Sequence, residues 1–342
     1  LRDAVKSAFP MGTQLALDSV LVQDGVAIVD LDGSANSTTV SQRQRMLVQL
    51  TATLTQLPSV FAVQIKIDGV PQNITNLPYQ VSLANNPDPI VLTADGFRQL
   101  SINATPMTRA SEAAKAWRAY EFAINNQQTL LALLGPQGVG LSRLVGGKSE
   151  TVAIDSRPDL LAPVIDPQGY IWTLGSLNAS ELAAHDSSGN QRFATLGWLG
   201  QAEHLGFSIS REGSRIAFLL GYPGSARIYV AAIVRDENGA PIALSTPIRL
   251  GLAERPAGSV AFIDETTVAT IARLDSGLTY PLYLKIGGQP KRLAPVADAR
   301  ATVSNGSAAP AYALDSNQEL SLLRSLTSIK IAKDILAIHF SG

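Results

Sequence analysis

The chain has 342 residues, of which 46% are hydrophobic and 16% are charged, and its formal net charge is -1. This composition excludes a disordered chain and predicts a strand-rich globular protein with more than one core, either two domains or a small domain with a repeat array. The near-zero charge argues against nucleic acid as a partner, and the absence of cysteine excludes disulfides, thiolate metal sites and thiol nucleophiles.

The first residues, LRDAVKSAFP, lack the apolar core of a signal peptide. No apolar run reaches the roughly 18 residues that would span a bilayer. Because residue 1 is Leu rather than Met, we expect any signal or anchor to lie upstream. The lack of cysteine fits bacterial export as well as the cytosol, so the compartment stays open at this point.

The first seventy residues predict two strands, a helix and a third strand. Residues 15–22 and 26–31 flank a hairpin signal at Gln23-Asp24-Gly25. Within residues 41–57, we expect Ser41 to cap a helix and Pro58 to end it. Its apolar side is formed by Met46, Leu47, Leu50, Leu54 and Leu57. The strand that follows alternates, with Phe61, Val63, Ile65 and Ile67 on the face predicted to meet the helix.

In this order the segments FPMGTQLALDSVLVQDGVAIVDL and LVQLTATLTQLPSVFAVQIKIDGVP resemble the GerMN domain, which is common in bacterial cell-envelope lipoproteins. The resemblance rests on Pro-x-Gly-Thr at 10–13, Asp-Gly-Val-Ala at 24–27, Thr-Leu-Thr-Gln at 53–56 and Val-Gln-Ile at 63–65. It implies an α+β domain over residues 1–75. That domain would be incomplete at its N-terminus, because the family's first strand and much of its first helix would lie upstream of Leu1.

Residues 76–102 are expected to form a connector followed by two short strands around Ala94-Asp95-Gly96. The C-terminal segment ILAIHF at 335–340 is apolar and would be exposed to aggregation if it stayed unpaired. We therefore predict that it pairs with the strands near 90–102, as happens when a β-propeller closes its ring with both chain ends. That pairing would form a sixth blade.

The remainder, residues 103–342, contains a repeated pattern: an apolar strand, a polar residue, a few turn residues and a new apolar strand. The polar residues that end the first strands are Asn125, Asp166, Ser210, Asp264 and Asn305. They recur with a period of roughly 40 to 50 residues, which is typical of propeller blades. The sequence thus predicts an all-β propeller of five or six blades after the GerMN-like domain.

A GerMN domain followed by a propeller resembles the LpqB family of actinobacterial lipoproteins, over nearly the whole chain. The resemblance implies a palmitate-bearing lipoprotein on the extracytoplasmic face of the cell membrane. It also implies an accessory role in the MtrA and MtrB two-component system, through binding the extracytoplasmic part of the sensor kinase MtrB. The family's lipid-modified cysteine is absent from this sequence, so the anchor is expected upstream.

Several short motifs suggest chemistry but fit it poorly. GGKS at 146–149 resembles the end of a phosphate loop, yet Ser142 stands where that loop requires glycine. Gly135, Gly138 and Gly140 suggest a dinucleotide loop, but Arg143 occupies the position of its third glycine. Turns between strands explain both groups better.

The candidate metal ligands are equally unconvincing. The three histidines, His185, His204 and His339, have no metal-ligand spacing, and Asp30 and Asp32 lack the other ligands of a calcium loop. The three tryptophans have different expected environments. We interpret Trp172 as a core residue, whereas Trp117 and Trp198 fit either the core or a partner-binding surface.

Two hypotheses follow. The first is a non-catalytic binding protein with no catalytic residue, cofactor or metal, and this is the interpretation that we favour. The alternative is a propeller hydrolase or lyase, or a cell-wall ligand-binding protein, that uses polar residues converging on the central channel. A Ser-His-Asp triad depends on space rather than sequence order, so the sequence leaves it open.

Overall fold

A computed structural model describes residues 7–75, 88–101, 106–146, 150–177, 181–195, 202–222, 225–250, 255–304 and 311–340. The chain divides into two compact units, one within Val5–Leu83 and one within Ala84–Gly342. The first is a small α/β unit and the second is a β-propeller. Within these residues, no helix is long and apolar enough to cross a membrane.

The N-terminal unit is one four-stranded sheet with a helix. Its elements are β1 (Leu21–Gln23), β2 (Val26–Leu31), a 3-10 turn (Gly33–Ser37), α1 (Val40–Leu54), β3 (Ala62–Ile67) and β4 (Val70–Pro71). The strands lie in the order β1-β2-β3-β4. β2 and β3 run parallel, joined by α1, whereas the outer pairs are antiparallel. The predicted order of strand, strand, helix and strand is confirmed.

The predicted ends of the helix were wrong. Thr39, not Ser41, is the N-cap: its hydroxyl accepts from the Gln42 backbone, and the Gln42 side chain accepts from the Thr39 backbone. This reciprocal capping box satisfies two free backbone N–H groups, which Ser41 could not do from inside the first turn. The helix also ends at Leu54, so Leu57 lies beyond it and is exposed.

Phe61 was also assigned to the wrong environment. Ile65 and Ile67 are buried as predicted, but Phe61 precedes β3 and is 74% exposed. Its ring lies directly against the hairpin turn, where a Cβ at Gly25 would be 2.0 Å from Phe61 Cε1. Gly25 also has a φ of +75°, so both space and backbone conformation require glycine there.

The propeller unit contains six antiparallel sheets among its described residues. Blade 1 consists of β7 (Glu121–Ile124), β8 (Leu130–Gly135), β9 (Gly138–Arg143) and β10 (Thr151–Asp155). Blade 2 consists of β11 (Val164–Ile165), β12 (Ile171–Leu174), β13 (Leu182–His185) and β14 (Gln191–Thr195). Blade 3 consists of β15 (Glu203–Ile209), β16 (Arg215–Tyr222), β17 (Ser225–Arg235), β18 (Pro241–Leu244) and β19 (Ile248–Arg249).

Two further blades follow the same plan, and the last is split. Blade 4 consists of β20 (Arg255–Phe262), β21 (Thr267–Arg273), β22 (Thr279–Lys285) and β23 (Pro290–Arg292). Blade 5 consists of β24 (Ala299–Ser304), β25 (Ala311–Asp315), β26 (Leu320–Leu323) and β27 (Ser328–Ala332). Blade 6 joins the C-terminal β28 (Ala337–His339) to β5 (Ile90–Thr93) and β6 (Gly96–Gln99). The pairing of Ile338 with Val91 confirms the predicted closure of the ring.

The predicted repeat is confirmed at the described positions. Asn125, Asp166 and Ser210 each follow directly after the first strand of a blade, and Asp264 lies two residues after β20. Asn305 lies outside the described residues. The side chains of the four described residues accept hydrogen bonds from backbone N–H groups in the turns that follow. Side chains that bind their own turn explain why the polar residue recurs.

Apolar side chains fill the spaces between neighbouring blades. The helix α2 (Thr108–Trp117) contributes to the core between blades 6 and 1 through Ala110, Ala113, Ala114 and Trp117. Trp117 Nε1 donates to Gly138 O at 3.1 Å, and a Cβ at Gly140 would lie 2.7 Å from the tryptophan ring. The glycines that suggested a dinucleotide loop therefore lie in a β-hairpin that packs against Trp117.

Candidate functional site

The innermost strands of the six blades surround a central cavity of about 490 Å³. Each of β7, β11, β15, β20, β24 and β28 contributes lining residues. This arrangement follows from the blade order, because each chain segment enters its blade at the centre and leaves at the rim. The lining mixes apolar side chains with a small number of charged and hydroxyl groups, which is the usual make-up of a ligand pocket.

An ion pair between Glu121 and Arg300 lies at the wall of this cavity. Arg300 Nη1 is 3.8 Å from Glu121 Oε1, and Arg300 Nη2 donates to Leu336 O at 2.5 Å. The pair therefore joins blades 1 and 5, which lie on either side of blade 6, and Arg300 also binds the segment that leads into β28. Burial raises the pKa of Glu121 to about 7, against the opposing effect of the Arg300 charge. A carboxyl group with such a pKa can exchange a proton near neutral pH, as general acids and bases do.

Hydroxyl groups on the cavity wall bind the backbone of the next blade. Ser208 Oγ accepts from Phe262 N at 3.2 Å, and Ser259 Oγ accepts from Thr302 N, also at 3.2 Å. These contacts satisfy edge N–H groups of the first strands in blades 4 and 5. Thr302 Oγ1 is buried without a hydrogen-bond partner among the described residues. The serine hydroxyls therefore serve the ring itself, and each keeps its hydrogen available for a further acceptor.

The three histidines do not converge. His339 lies at the cavity and its ring centroid is 5.9 Å from that of Phe122, whereas His185 lies in β13 and His204 in β15. Burial lowers the pKa of all three, that of His339 to about 4. In the part of the chain that the structure describes, no group of three or more His, Asp or Glu side chains could hold a metal ion.

A buried polar cluster joins blades 1 and 2. Arg157 Nε donates to Asp155 Oδ1 at 3.0 Å, and Thr173 Oγ1 donates to Asp155 Oδ2 at 2.6 Å. Thr173 Oγ1 is also 3.3 Å from His185 Nε2. Burial alone would raise the pKa of Asp155, but hydrogen bonds from Arg157 and Thr173 outweigh it and lower the pKa. Threonine, histidine and aspartate thus meet, yet Thr173 is fully buried and no substrate can reach its hydroxyl.

A second cluster joins blades 2 and 3. Asp166 Oδ2 accepts from Trp172 Nε1 at 2.8 Å and from Arg235 Nη2 at 2.6 Å, while its Oδ1 accepts from Tyr170 N. The Asp166 side chain is fully buried, and Trp172 is in the core as predicted. Both residues therefore have an architectural role.

The remaining sequence candidates are strand-end or turn residues, or lie outside the described residues. Asp30 Oδ1 accepts from Gly69 N at 3.0 Å, and Asp32 accepts from Gln14 N. Gly146 is in a turn, and residues 147–149 and Trp198 are among those not described. The Glu121–Arg300 and Asp155–Arg157 pairs were missed by the sequence analysis. Arg157 lies two residues beyond Asp155, so the sequence contained a weak local indication of that ion pair. Glu121 and Arg300 are far apart in the chain, and no local pattern indicates their pairing.

These sheets define a protein class, a six-bladed β-propeller preceded by a small α/β unit. Comparison with family models makes the assignment specific: the model described as Lipoprotein LpqB beta-propeller domain matches residues 103–325, and the chain belongs to this family. A second model, described as Sporulation and spore germination, matches residues 1–73. The two matches confirm the resemblance to GerMN and LpqB architecture.

A solved structure shows a similar fold at low sequence identity. TolB from Acinetobacter baumannii matches with a TM-score of 0.51 and 16% identity, over 72% of this chain and 63% of that chain. A putative TolB from Agrobacterium tumefaciens has a TM-score of 0.46 and 12% identity, over 75% of this chain and 98% of that chain. This chain thus spans less than two thirds of the Acinetobacter TolB. Comparison with curated proteins gave no match.

Proposed function

We propose that this protein is a non-catalytic, lipid-anchored accessory of the MtrA and MtrB two-component system on the extracytoplasmic face of the cell membrane. Its proposed partner is the extracytoplasmic part of the sensor kinase MtrB. The observation that carries the proposal is the match of two family models in the LpqB order, a germination-type domain followed by the propeller. The family description, Lipoprotein LpqB beta-propeller domain, supports a lipid anchor, and we propose palmitate as its acyl group.

The use of polar groups in the propeller supports a binding role. Asp155 and Asp166 are buried in contacts between blades, and the hydroxyls of Ser208 and Ser259 bind neighbouring backbone. These groups stabilise the ring, so they are poor candidates for a reacting centre. Propellers with such rigid rings commonly present their loops to partner proteins.

One observation favours the alternative, an enzyme or a small-ligand binder that uses the channel. The cavity of about 490 Å³ contains Glu121, whose carboxyl has a pKa of about 7, beside the Arg300 guanidinium. Carboxyl groups with a shifted pKa beside a charged partner are typical of catalytic and ligand-binding sites. If it carried the function, Arg300→Gln would abolish binding of the physiological ligand.

The proposal is tested by titrating the chain into the purified extracytoplasmic domain of MtrB in a calorimeter. We expect saturable binding, none to the extracytoplasmic domain of an unrelated sensor kinase, and no change in affinity with Arg300→Gln. Failure to bind at protein concentrations of about 100 μM would contradict the proposed partner, since that limit corresponds to only about -5.5 kcal/mol of binding free energy. Loss of binding in Arg300→Gln would favour the channel instead.

A further inference from the structure

Three innermost strands of the propeller contain β-bulges at the central cavity. The register between β15 and β16 shifts across Leu205, that between β20 and β21 shifts across Ser259, and that between β24 and β25 shifts across Arg300. All three bulged residues line the cavity. The innermost strands of the other three blades pair without such a shift at the described residues. Bulges commonly redirect side chains next to binding sites, so the walls formed by blades 3, 4 and 5 are the place to search for one.

Ser259 has an unusual backbone conformation at the cavity wall. Its φ is +57°, in the left-handed region that favours glycine. Two contacts hold it there: the backbone O of Ser259 accepts from Thr270 Oγ1 at 2.8 Å, and Ser259 Oγ accepts from Thr302 N at 3.2 Å. Because the hydroxyl only accepts in this contact, its hydrogen can donate to a ligand oxygen. A strained residue that is held by its surroundings beside a cavity is typical of ligand sites.

The gap between Glu121 and Arg300 has the geometry for a hydroxyl group. The distance of 3.8 Å from Arg300 Nη1 to Glu121 Oε1 is too long for a hydrogen bond. The backbone oxygens of Asp315 and Leu336 accept from Arg300 Nε and Nη2 and hold the guanidinium in place. Among the described residues, Nη1 donates no hydrogen bond and the Glu121 carboxyl accepts none.

A single oxygen atom can bridge that gap. At about 2.8 Å from both atoms, it would accept a hydrogen bond from Arg300 Nη1 and donate one to Glu121 Oε1. A carboxylate oxygen cannot donate and an ammonium group cannot accept, so neither fits between the two side chains in these charge states. A hydroxyl group fits, and so does water.

The rest of the lining favours a neutral ligand. Among the described residues, the charged side chains of the cavity are two acidic and two basic ones: Glu121, Asp264, Arg211 and Arg300. His339 adds no charge near neutral pH, because burial lowers its pKa to about 4. The walls between these groups are largely apolar and include Leu160, Phe207 and Phe262. A molecule with hydroxyl groups at its edge and apolar faces matches such a lining, whereas an ion would leave one charge unbalanced.

The polar groups are spaced for a molecule of modest size. Thr302, whose backbone N binds the Ser259 hydroxyl, lies two residues after Arg300 in β24. At about 3.3 Å of rise per residue, the Ser259 contact is roughly 7 Å from the backbone of Arg300. The cavity of about 490 Å³ also lies within the range of about 300–1,000 Å³ that is usual for small-molecule pockets.

We propose that the central cavity binds a neutral sugar, one hydroxyl of which lies between Glu121 and Arg300 while another oxygen accepts from Ser259. The apolar walls contact the faces of the sugar ring. The bulges at Ser259 and Arg300 then have a role, because they place both side chains at the cavity. This site goes beyond the proposed function, since sugar binding needs no protein partner and involves no reaction.

The test measures binding of D-glucose and N-acetyl-D-glucosamine to the purified chain by isothermal titration calorimetry at about pH 8. We expect at least one of them to bind saturably, with a dissociation constant of about 1 mM or below. If neither binds at a concentration of about 50 mM, water alone bridges Glu121 and Arg300, and the proposal is overturned. D-glucuronate carries a carboxylate on the same ring, and tighter binding of it than of both neutral sugars would also overturn the proposal.

A pair of arginine variants locates the sugar. Arg300→Gln removes the donor of the bridging contact and should weaken binding at least about tenfold. The matched control is Arg324→Gln, which changes an exposed arginine in the hairpin between β26 and β27 of the same blade and should bind as the wild type does. Equal affinity of Arg300→Gln and the wild type would contradict the site. Binding of the MtrB domain is measured separately, so a failure of the sugar site leaves the proposed partner untouched.

The dependence of affinity on pH tests the contact with Glu121. The titratable or charged groups that line the cavity with it at blades 1, 5 and 6 are Tyr120, Arg300 and His339. A hydroxyl donates best to an ionised carboxylate, and the pKa of Glu121 is about 7, so the affinity should fall at least about threefold, and at most about tenfold, from pH 8 to pH 6. An affinity that stayed constant or rose towards pH 6 would contradict the proposal.

Glu121→Gln completes the test and keeps the shape of the side chain. It should bind at least about threefold more weakly than the wild type at pH 8, with no change towards pH 6, because its amide does not titrate. Thermal unfolding checks that each variant folds. Should Arg300→Gln fail to fold, Glu121→Gln decides the outcome, and wild-type affinity with wild-type pH dependence in that variant would overturn the site.

Discussion

Closure of the ring can be tested at Ile335, which precedes the C-terminal strand. The side chain is fully buried in the core between blades 5 and 6, in one cluster with Leu314, Leu320 and Phe340. Its backbone N donates to Gln318 O at 3.0 Å, so both its side chain and its backbone contact blade 5. Ile335→Ala would remove three carbon atoms from a site whose surroundings are held by strands.

Substitutions of this kind cost about 2–5 kcal/mol, because the lost burial is increased by the cavity that remains. For a unit of this size, each kcal/mol lowers the midpoint of thermal unfolding by roughly 2–4 °C. We therefore expect Ile335→Ala to lower the midpoint by about 4–20 °C, measured by differential scanning calorimetry.

The matched control is Leu326→Ala, which also truncates an aliphatic side chain near the C-terminus. Leu326 is 91% exposed, so its truncation should change the stability by less than about 0.5 kcal/mol. If the two variants unfolded at the same midpoint, the C-terminal segment would not be packed against blade 5. The closed ring would then be refuted.

Three further predictions concern the same ring. Removing residues 335–342 deletes β28 and should lower the unfolding midpoint more than Ile335→Ala does; an unchanged midpoint would contradict the pairing. Asp155→Ala should cost about 3 kcal/mol in a denaturant titration, because it leaves the partly buried Arg157 charge with only its longer, 3.9 Å contact to Glu181, and a loss below about 1 kcal/mol would show that Glu181 and water satisfy it. Folding raises the pKa of Glu121 from 4.5 to about 7, so the stability that its carboxyl contributes is present below pH 4.5 and is lost as the pH rises through 7. Calorimetry from about pH 5 to about pH 8 should show this fall in wild type and not in Glu121→Gln, and parallel curves would exclude Glu121 as the group responsible.

The sequence predicted those parts of the fold that depend on neighbouring residues. Asn125 and Asp264 bind backbone groups of the turns that follow them, so their recurrence marks the blades. The closing strand was also predictable, because an apolar C-terminal run has to be buried somewhere and the strands near residue 90 needed a partner.

Local patterns failed where two nearby positions offered similar chemistry. Ser41 and Thr39 are both good N-caps, and only the reciprocal bond with Gln42 distinguishes them. Phe61 continued the alternation of β3 by one position, but the strand begins at Ala62 and the ring packs on Gly25 instead. An alternating pattern predicts that a strand exists more reliably than it predicts at which residue the strand begins.

The candidate site was harder to predict, because its residues meet only after the ring has closed. Glu121 begins the first strand of blade 1 and Arg300 lies in the first strand of blade 5, so no period or spacing connects them. Each would pass as an ordinary charged residue on a strand end. Burial of Glu121 is what raises its pKa, and a sequence pattern contains no measure of such burial.

The Asp166 side chain makes both a local contact that the sequence explains and a distant contact that the sequence does not reveal. One carboxylate oxygen accepts from Tyr170 N within its own turn, and this local bond explains the aspartate in the DPQG motif. The other oxygen accepts from Trp172 in the same blade and from Arg235 in the next blade, 69 residues away. A fully buried carboxylate is costly unless it is paired, so the position tolerates aspartate only because blade 3 supplies the guanidinium. The turn motif therefore depends on the tertiary structure that it helps to build.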